Sequence, residues 1–300
     1  MAVTKHIRTF IDEGFHVTNH GSPVSGRSIG AALIRSANIE IIPLKGAEAK
    51  LRALPVGSGV TITCSPKFGL ERTLHHVESA AEAGFHVIPH LAARQVTDRA
   101  ELEQFVRRVE KAGVTDLYVI GGDADRPAGR YSAALEVLRD LADIDHSLTR
   151  VGVGCYPEGH PKIDDSVLIE ALLAKQGYAD YMVSQLCFDP NALVSWLGTV
   201  RAAGVHLPLR IGLAAPMSVR KLAELSFKIG VGQSLRFLTK QRGVVGNLIL
   251  GTNSYRPEDL LEAIEPELLA DPHQIEGLHL FSFNQIEATA AWQRQVVDAA

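Results

Sequence analysis

Short apolar runs alternate with amphipathic stretches along this chain from about residue 37 onward. Eight of these runs are predicted to be strands: 39–43, 60–64, 85–90, 116–123, 151–156, 180–185, 208–213 and 278–283. Apolar runs of this length, bounded by turn residues, are typical of strands buried in a parallel sheet. The stretches between them carry apolar residues at helical spacing, so each predicted strand is followed by a predicted helix.

Eight strands with helices between them predict an α/β protein, a (β/α)8 TIM barrel. The alternative is a doubly wound open sheet, which usually has a glycine-rich phosphate turn after its first strand. Pro43-Leu44-Lys45-Gly46 follows the first strand instead, and Gly230-Val231-Gly232 follows a helix, so neither supports that alternative. We interpret residues 1–36 as an N-terminal extension with a loop over 19–29. Residues 37–300 form the catalytic barrel, with extra helices before the eighth strand.

Composition and charge narrow the class of partner. The chain is 46% hydrophobic and 21% charged, as in an ordinary globular protein. Its net charge of −4 provides no basic field for nucleic acid or an anionic membrane. No apolar run reaches the roughly 18 residues of a membrane span, and the first residues lack a signal-peptide core. We therefore expect a cytoplasmic protein with a small-molecule substrate.

The cysteines and histidines show no metal-like spacing. Cys64, Cys155 and Cys187 each lie in or just past a predicted strand, which is typical of small core residues in a reducing compartment. A nucleophilic role for Cys187 or Cys155 is the alternative. The 12 histidines form no HExxH or paired-ligand pattern, so no metal site is predicted.

Polar residues lie at or near the carboxyl ends of six of the predicted strands. They are Glu40, Thr63, His90, Asp123, Tyr156 and Gln185. The carboxyl ends of barrel strands meet at one opening, so we expect these side chains around a common cleft.

Two of these residues are carboxylates in different settings. Glu40 lies inside an apolar run, where an acid is rarely buried without a partner. It is either part of a structural ion pair or a general acid whose surroundings favour the protonated form. Asp123 follows two glycines and either caps the next helix or meets a ligand. In such a pair one carboxyl group can be protonated while the other is ionised, and the two can take different catalytic roles. Gln185 offers both a hydrogen-bond donor and an acceptor, which suits the edge of a heterocycle.

Several short segments resemble motifs of the methylenetetrahydrofolate reductase family. Residues 39–43 resemble its FEFFP-like motif, 88–91 its PHL motif, 122–123 the end of its RGD motif, 156–161 its YPExHP motif, 184–189 its TQxFFD motif and 278–285 its HFYTLNR strand. Each match is weak by itself. They keep the family's order and spacing from about residue 37 to the end, which makes the resemblance specific.

The resemblance implies an enzyme of one-carbon metabolism and methionine biosynthesis that reduces 5,10-methylenetetrahydrofolate to 5-methyltetrahydrofolate with hydride from NADH or NADPH. It gives Glu40 the role of general acid toward the ring nitrogen that leaves. It gives Asp123 the role of stabilising the resulting iminium cation. The residues implied to bind the folate are Gln185, Asp123, Phe188 and Gln285. The residues implied to bind the cofactor are Thr63, His90, Gly122, Tyr131, Tyr156 and His160.

The chain departs from the family where FAD is held. Gly121 replaces the arginine before Gly-Asp, and Glu170-Ala171-Leu172-Leu173 replaces a basic helix. A separate departure concerns the substrate: Arg220 stands where the family has a phenylalanine that packs on it. Each lost charge-assisted hydrogen bond removes about 1.5–3 kcal/mol. We therefore expect no tightly bound FAD, and a reduced nicotinamide beside His90 and Tyr156 that passes hydride directly to the folate.

Other interpretations stay open at this point. They are an FAD-containing reductase of the same reaction, a reductase of a related pterin with a deazaflavin donor, a non-catalytic folate-binding relative, and an unrelated barrel lyase. The sequence leaves open the choice between NADH and NADPH, and also the oligomeric state.

Overall fold

A computed structural model describes residues 26–228, 254–269 and 274–299. The strands are β1 Asn38–Ile41, β2 Gly59–Ile62, β3 His86–Ala92, β4 Asp116–Ile120, β5 Arg150–Cys155, β6 Tyr181–Leu186, β7 Leu209–Ala214, β8 Met217–Ser218, β9 Ser254–Tyr255 and β10 Ile275–Phe281. The described helices are α1 Gly26–Arg35, α2 Ala47–Leu51, α3 Gly69–Glu82, α4 Arg99–Lys111, α5 Ala134–Ala142, α6 Asp165–Lys175, α7 Pro190–Ala202, α8 Val219–Lys228, α9 Pro257–Ala263, α10 Glu265–Leu269 and α11 Ile286–Asp298.

Eight parallel strands close into a barrel, which confirms the predicted (β/α)8 TIM barrel. Strands β1 to β7 follow one another around it, and β10 completes it between β7 and β1. A barrel of parallel strands covered by helices buries both faces of each strand, which is why the strand segments are so apolar. The short antiparallel pair of β8 and β9 lies outside the barrel and was not predicted.

The predicted loop over 19–29 is wrong from Gly26 onward, where α1 begins. Its apolar stripe, which includes the buried Ala31 and Ile34, packs against α11. The side chain of Gln293 donates to the carbonyl of Ile34 at 2.7 Å. Burial of this stripe outweighs the weak helix propensity of the glycine and serine residues. Residues 19–25 of the predicted loop lie outside the described ranges.

Three predicted helix boundaries also differ from the structure. The helix expected from residue 131 begins only at Ala134, because Ser132 and Ala133 donate their backbone N–H groups to the Glu136 carboxylate. The helix expected from residue 217 begins after β8, and the one expected over 257–269 is divided at Ile264. The rest of the extra helical material before the eighth strand, residues 231–253, lies outside the described ranges. Among the helices that are described, none combines the length and apolarity needed to cross a membrane.

Alternation along β1 fixes which side chains enter the barrel. Ile39 and Ile41 are buried against the surrounding helices. Asn38 and Glu40 between them therefore point into the lumen, because successive strand residues face opposite sides. The same alternation turns Thr61 of β2, which lies opposite Glu40, and Ile88 and His90 of β3 inward.

A charged and aromatic layer fills the lumen at the amino ends of the strands. The guanidinium of Arg210 lies 3.7 Å from the ring centre of Tyr181 and donates from Nε to Glu276 at 2.8 Å. The Tyr181 hydroxyl donates to Asp116 at 2.7 Å, and Arg150 donates to Glu276 at 2.8 Å. We call these five residues the floor layer. Buried charges of this kind are tolerated when each one has a partner.

The floor layer generates a prediction about stability. Arg210→Met should lower the free energy of unfolding by about 3–5 kcal/mol, because it leaves Asp116 and Glu276 short of a buried partner. Arg150→Met is the matched control: its side chain is 39% exposed, so its loss should be about 1 kcal/mol or less. Urea unfolding followed by circular dichroism measures both. Equal losses for the two variants would contradict this account of the layer.

Candidate active site

Glu40 and His279 form a buried pair at the mouth, the end of the barrel where the strands' carboxyl ends lie. Glu40 Oε2 and His279 Nε2 are 3.1 Å apart, although the residues are 239 positions apart in the chain. Strand β10 lies directly beside β1, with Phe281 opposite Glu40, and His279 precedes Phe281 by two residues on the same face. The side chains are 13% and 2% exposed, respectively. The acid in the apolar run therefore does have a partner.

The turn after β10 fastens its end to the end of β1. Ser282 Oγ donates to the carbonyl of Glu40 at 2.5 Å. The Asn284 side chain accepts from the N–H of Ile42 at 2.8 Å and donates to its carbonyl at 2.9 Å. Phe283 and Asn284 adopt left-handed φ values of 48° and 60°, and such backbone persists only where its surroundings hold it. These bonds fix the backbone that carries Glu40.

His90 lies beside the Glu40–His279 pair. Its ring meets that of Tyr118 edge-on at 4.6 Å between centres, and lies 6.0 Å from that of His279. Burial, and then His279, lower the pKa of His90 well below its usual range, so its ring is uncharged near neutral pH. His90 Nε2 and Thr61 Oγ1 are both buried without a hydrogen-bond partner. The lumen therefore holds polar atoms that are left for a ligand, an ion or water.

A second group lies on the β4 and β5 side of the mouth. Asp123 follows β4 and is exposed. The rings of Tyr156 and His160 meet edge-on, 5.0 Å apart. Burial raises the pKa of Tyr156, and the Asp123 carboxylate adds to the rise. Strands β2 and β3 separate this group from the strand that carries Glu40.

The other predicted site residues divide into two sets. Thr63 and Gln185 are half-buried just past β2 and near the end of β6, so they lie at the mouth. The Gln185 side chain accepts from the N–H of Leu186 at 2.9 Å. Gln285 lies at the start of α11, where its side chain accepts from Lys221 at 3.0 Å. Gly122 has a left-handed φ of 90° in the loop before Asp123.

Tyr131 and Phe188 are buried among other side chains of the protein. Tyr131 is buried, and its hydroxyl donates to Asp140 of α5 at 2.6 Å. Phe188 is buried against Tyr255, with ring centres 5.7 Å apart. Phe188 also packs in the same apolar cluster as Phe281, the residue opposite Glu40 on β10. The binding roles of both residues stay predictions.

The family of the chain follows from comparison with known proteins. Residues 48–241, well over half of the chain, match the family model described as methylenetetrahydrofolate reductase. The chain belongs to the methylenetetrahydrofolate reductase family. The family resemblance drawn from the short motifs is thereby confirmed.

Individual relatives of this reductase family are distant. Methylenetetrahydrofolate reductase 1 of Schizosaccharomyces pombe is 26% identical over 121 residues, which are 37% of this chain and 20% of that protein. Methylenetetrahydrofolate reductase 2 of Saccharomyces cerevisiae is 26% identical over 113 residues, 34% of this chain and 19% of that protein. The chain thus covers about a fifth of each relative. A crystal structure of oxaloacetate acetylhydrolase matches with a TM-score of 0.50 and 11% identity over 91% of this chain and 86% of that one, which shows the shared fold alone.

The barrel adds site residues that the motifs did not single out. They are Thr61, Tyr118, His279, Ser282 and Asn284. His279 carried a usable signal, because it is a polar residue inside the apolar run of the eighth strand, as Glu40 is in the first. Ser282 and Asn284 lie within the segment that resembles the HFYTLNR strand, but their role depends on which strand lies beside β10, and the motif does not give that.

The structure also shows which side chains could bind a metal ion or a cofactor. One ligand atom each from Glu40, His90 and His279 lies within 4.8 Å of the others, so this group could hold a metal ion. The sequence prediction of no metal considered only ligands close together in the chain, and this group joins three strands. Lys175 follows the segment that stands in place of the family's basic helix. It donates to the carbonyl of Gly154 of β5 at 3.3 Å, and burial lowers its pKa.

The loop that carries Asp123 generates a prediction with a matched control. Gly122→Ala should cost about 1–3 kcal/mol, because an added Cβ would lie 2.9 Å from that of Ala92 at a left-handed φ. Gly121→Ala should change stability by less than about 0.5 kcal/mol, because its Cβ would meet nothing within 4 Å. Thermal unfolding of both variants measures the difference. An equal loss at Gly121 would show that the contact with Ala92 is not the cause.

Proposed function

We propose that this protein reduces 5,10-methylenetetrahydrofolate to 5-methyltetrahydrofolate with a hydride from NADH or NADPH. The observation that carries the proposal is Glu40, an acid held at the mouth of the family's barrel by His279 and by the turn after β10. A positioned acid in a largely buried setting suits proton transfer to a substrate.

Glu40 acts first, as the general acid. Its carboxyl proton passes to the ring nitrogen that leaves, the bond from that nitrogen to the bridging methylene carbon breaks, and an iminium cation forms. The hydride, with its electron pair, then adds to the methylene carbon and leaves NAD(P)⁺. His279, 3.1 Å from Glu40 Oε2, keeps the carboxyl in one orientation through these steps.

The other side of the mouth supplies negative charge. Asp123 is exposed beyond β4, where its carboxylate can face the iminium cation and stabilise it electrostatically. Gln185 presents amide groups at the end of β6 to hydrogen-bond the pterin ring. His90 and Tyr156 line the place for the nicotinamide ring. His90 lies on β3, between the strands of the two acids, and Tyr156 follows β5, between β4 and the strand of Gln185.

We further propose that hydride passes directly from the nicotinamide, without bound FAD. Three features support this. A side chain at Gly121 would find open space where the family has an arginine. The segment Glu170–Leu173 of α6 contains no lysine or arginine. Lys175, which follows it, is bonded to the carbonyl of Gly154. An anionic diphosphate therefore lacks the cations that hold it in the family.

Replacing the proposed acid should stop turnover without preventing binding. Glu40→Gln keeps the shape and a hydrogen bond to His279 but removes the carboxyl proton, so we expect kcat to fall about 10²–10⁴-fold. NADH oxidation with methylenetetrahydrofolate measures kcat, and calorimetry measures folate binding. The control is Glu103→Gln, an exposed member of a surface pair with Arg99, which should behave as wild type. A Glu40→Gln protein that binds folate and turns over at the wild-type rate would refute the assignment.

The spectrum of the purified protein tests the direct transfer. We expect no stoichiometric flavin absorbance in the wild-type protein. Gly121→Arg should bind added FAD about 10–100-fold more tightly than wild type, since one charge-assisted hydrogen bond contributes about 1.5–3 kcal/mol. Gly121→Gln is the uncharged control and should gain much less. Stoichiometric flavin in the wild-type protein would end the proposal of direct transfer and leave the acid assignment intact.

A further inference from the structure

We propose that Glu40, His90 and His279 form a binding site for a divalent transition-metal cation such as Zn²⁺ or Co²⁺, and that the bound cation inhibits the reductase by occupying its acid. The binding does not depend on the proposed function. The inhibition does, because it needs Glu40 to be the proton donor.

The three donors come from adjacent parts of the lumen. Their ligand atoms all lie within 4.8 Å of one another, and Glu40 Oε2 is 3.1 Å from His279 Nε2. A tetrahedral ion with ligands at about 2.1 Å holds its donors about 3.4 Å apart. One pair is therefore at the right separation already, and His90 needs an approach of about 1.5 Å or less to complete the site.

An unpartnered nitrogen supports the site independently of this cluster. His90 is 4% exposed, and its Nε2 is buried without a hydrogen-bond partner. Leaving such an atom unsatisfied costs about 1–3 kcal/mol, so an atom of this kind points to a missing ion or water. Thr61, 2% exposed and opposite Glu40 on β2, also has an unpartnered hydroxyl. That hydroxyl can hydrogen-bond a water molecule on the cation.

The donor set selects the class of metal and explains the inhibition. Two imidazoles and one carboxylate suit Zn²⁺, Co²⁺ or Fe²⁺, whereas Mg²⁺ and Ca²⁺ prefer all-oxygen sites. Three protein ligands leave a coordination position for water. The carboxylate binds a cation only after it has lost its proton. A Glu40 that holds a metal therefore has no proton to give to the substrate.

The first experiment measures binding without any activity. Untagged protein is freed of metal with EDTA, dialysed and titrated with Co²⁺, whose visible absorption reports tetrahedral nitrogen and oxygen ligands. We expect one equivalent to bind, and His279→Gln and His90→Gln each to weaken binding at least tenfold. His206→Gln, a histidine exposed on the surface, should bind as wild type. Binding that is absent from the wild type, or equal in all four proteins, would overturn the site and leave buried water as the partner of His90.

A second measurement does not rely on the variants folding. X-ray absorption of the wild-type protein loaded with one equivalent of Zn²⁺ should show the outer-shell scattering of two imidazoles. A spectrum with one imidazole or none would overturn the ligand set.

The inhibition is tested separately on the active protein. Zn²⁺ at the concentration that fills the site should abolish NADH oxidation with methylenetetrahydrofolate in wild type and His206→Gln, and EDTA should restore it. Full activity with the site filled would overturn the inhibition but not the binding. If the protein lacked reductase activity altogether, the proposed function and with it the inhibition would fail, while the Co²⁺ titration would still decide the metal site.

Discussion

The pairing of β10 with β1 is the contact on which the rest of the molecule depends. It closes the barrel between the first and last strands, and the bonds from Ser282 and Asn284 lock the two ends in one register. That register places His279 within reach of Glu40. A slip of one residue would turn Glu40 toward the helices, because strand side chains alternate between the two faces. The same strand pairing therefore closes the barrel and positions the candidate acid.

Buried polar groups have partners at one end of the lumen, and some of them lack partners at the other. In the floor layer, Arg210 contacts Tyr181, Glu276 and Asp116, so its charge is balanced within the barrel. At the mouth, atoms of His90 and Thr61 have no partner. Balanced buried charges keep the native arrangement, whereas unsatisfied polar atoms cost free energy and are kept where a ligand comes to meet them. The contrast supports the proposal that the mouth is the end where the chemistry takes place.

In the two proposals Glu40 either donates a proton or binds a cation, and it cannot do both at once. As a carboxylic acid it can protonate a leaving nitrogen; as a carboxylate beside His90 and His279 it has the donors of a metal site. Asp123 lies on the far side of β2 and β3 and is exposed, away from the three donors. The proposed proton donor and the proposed electrostatic stabiliser thus lie in separate surroundings.

The sequence by itself determined the barrel and most residues at its mouth, because buried parallel strands leave an apolar pattern and a polar residue at the end of such a run stands out. It also carried the family motifs. Only the tertiary structure decided that α1 forms, that Tyr131 is buried against Asp140, and that His279 meets Glu40. Local patterns record which face of an element is buried. They do not record which residue of a distant strand lies opposite, since that is set by strand register and barrel closure.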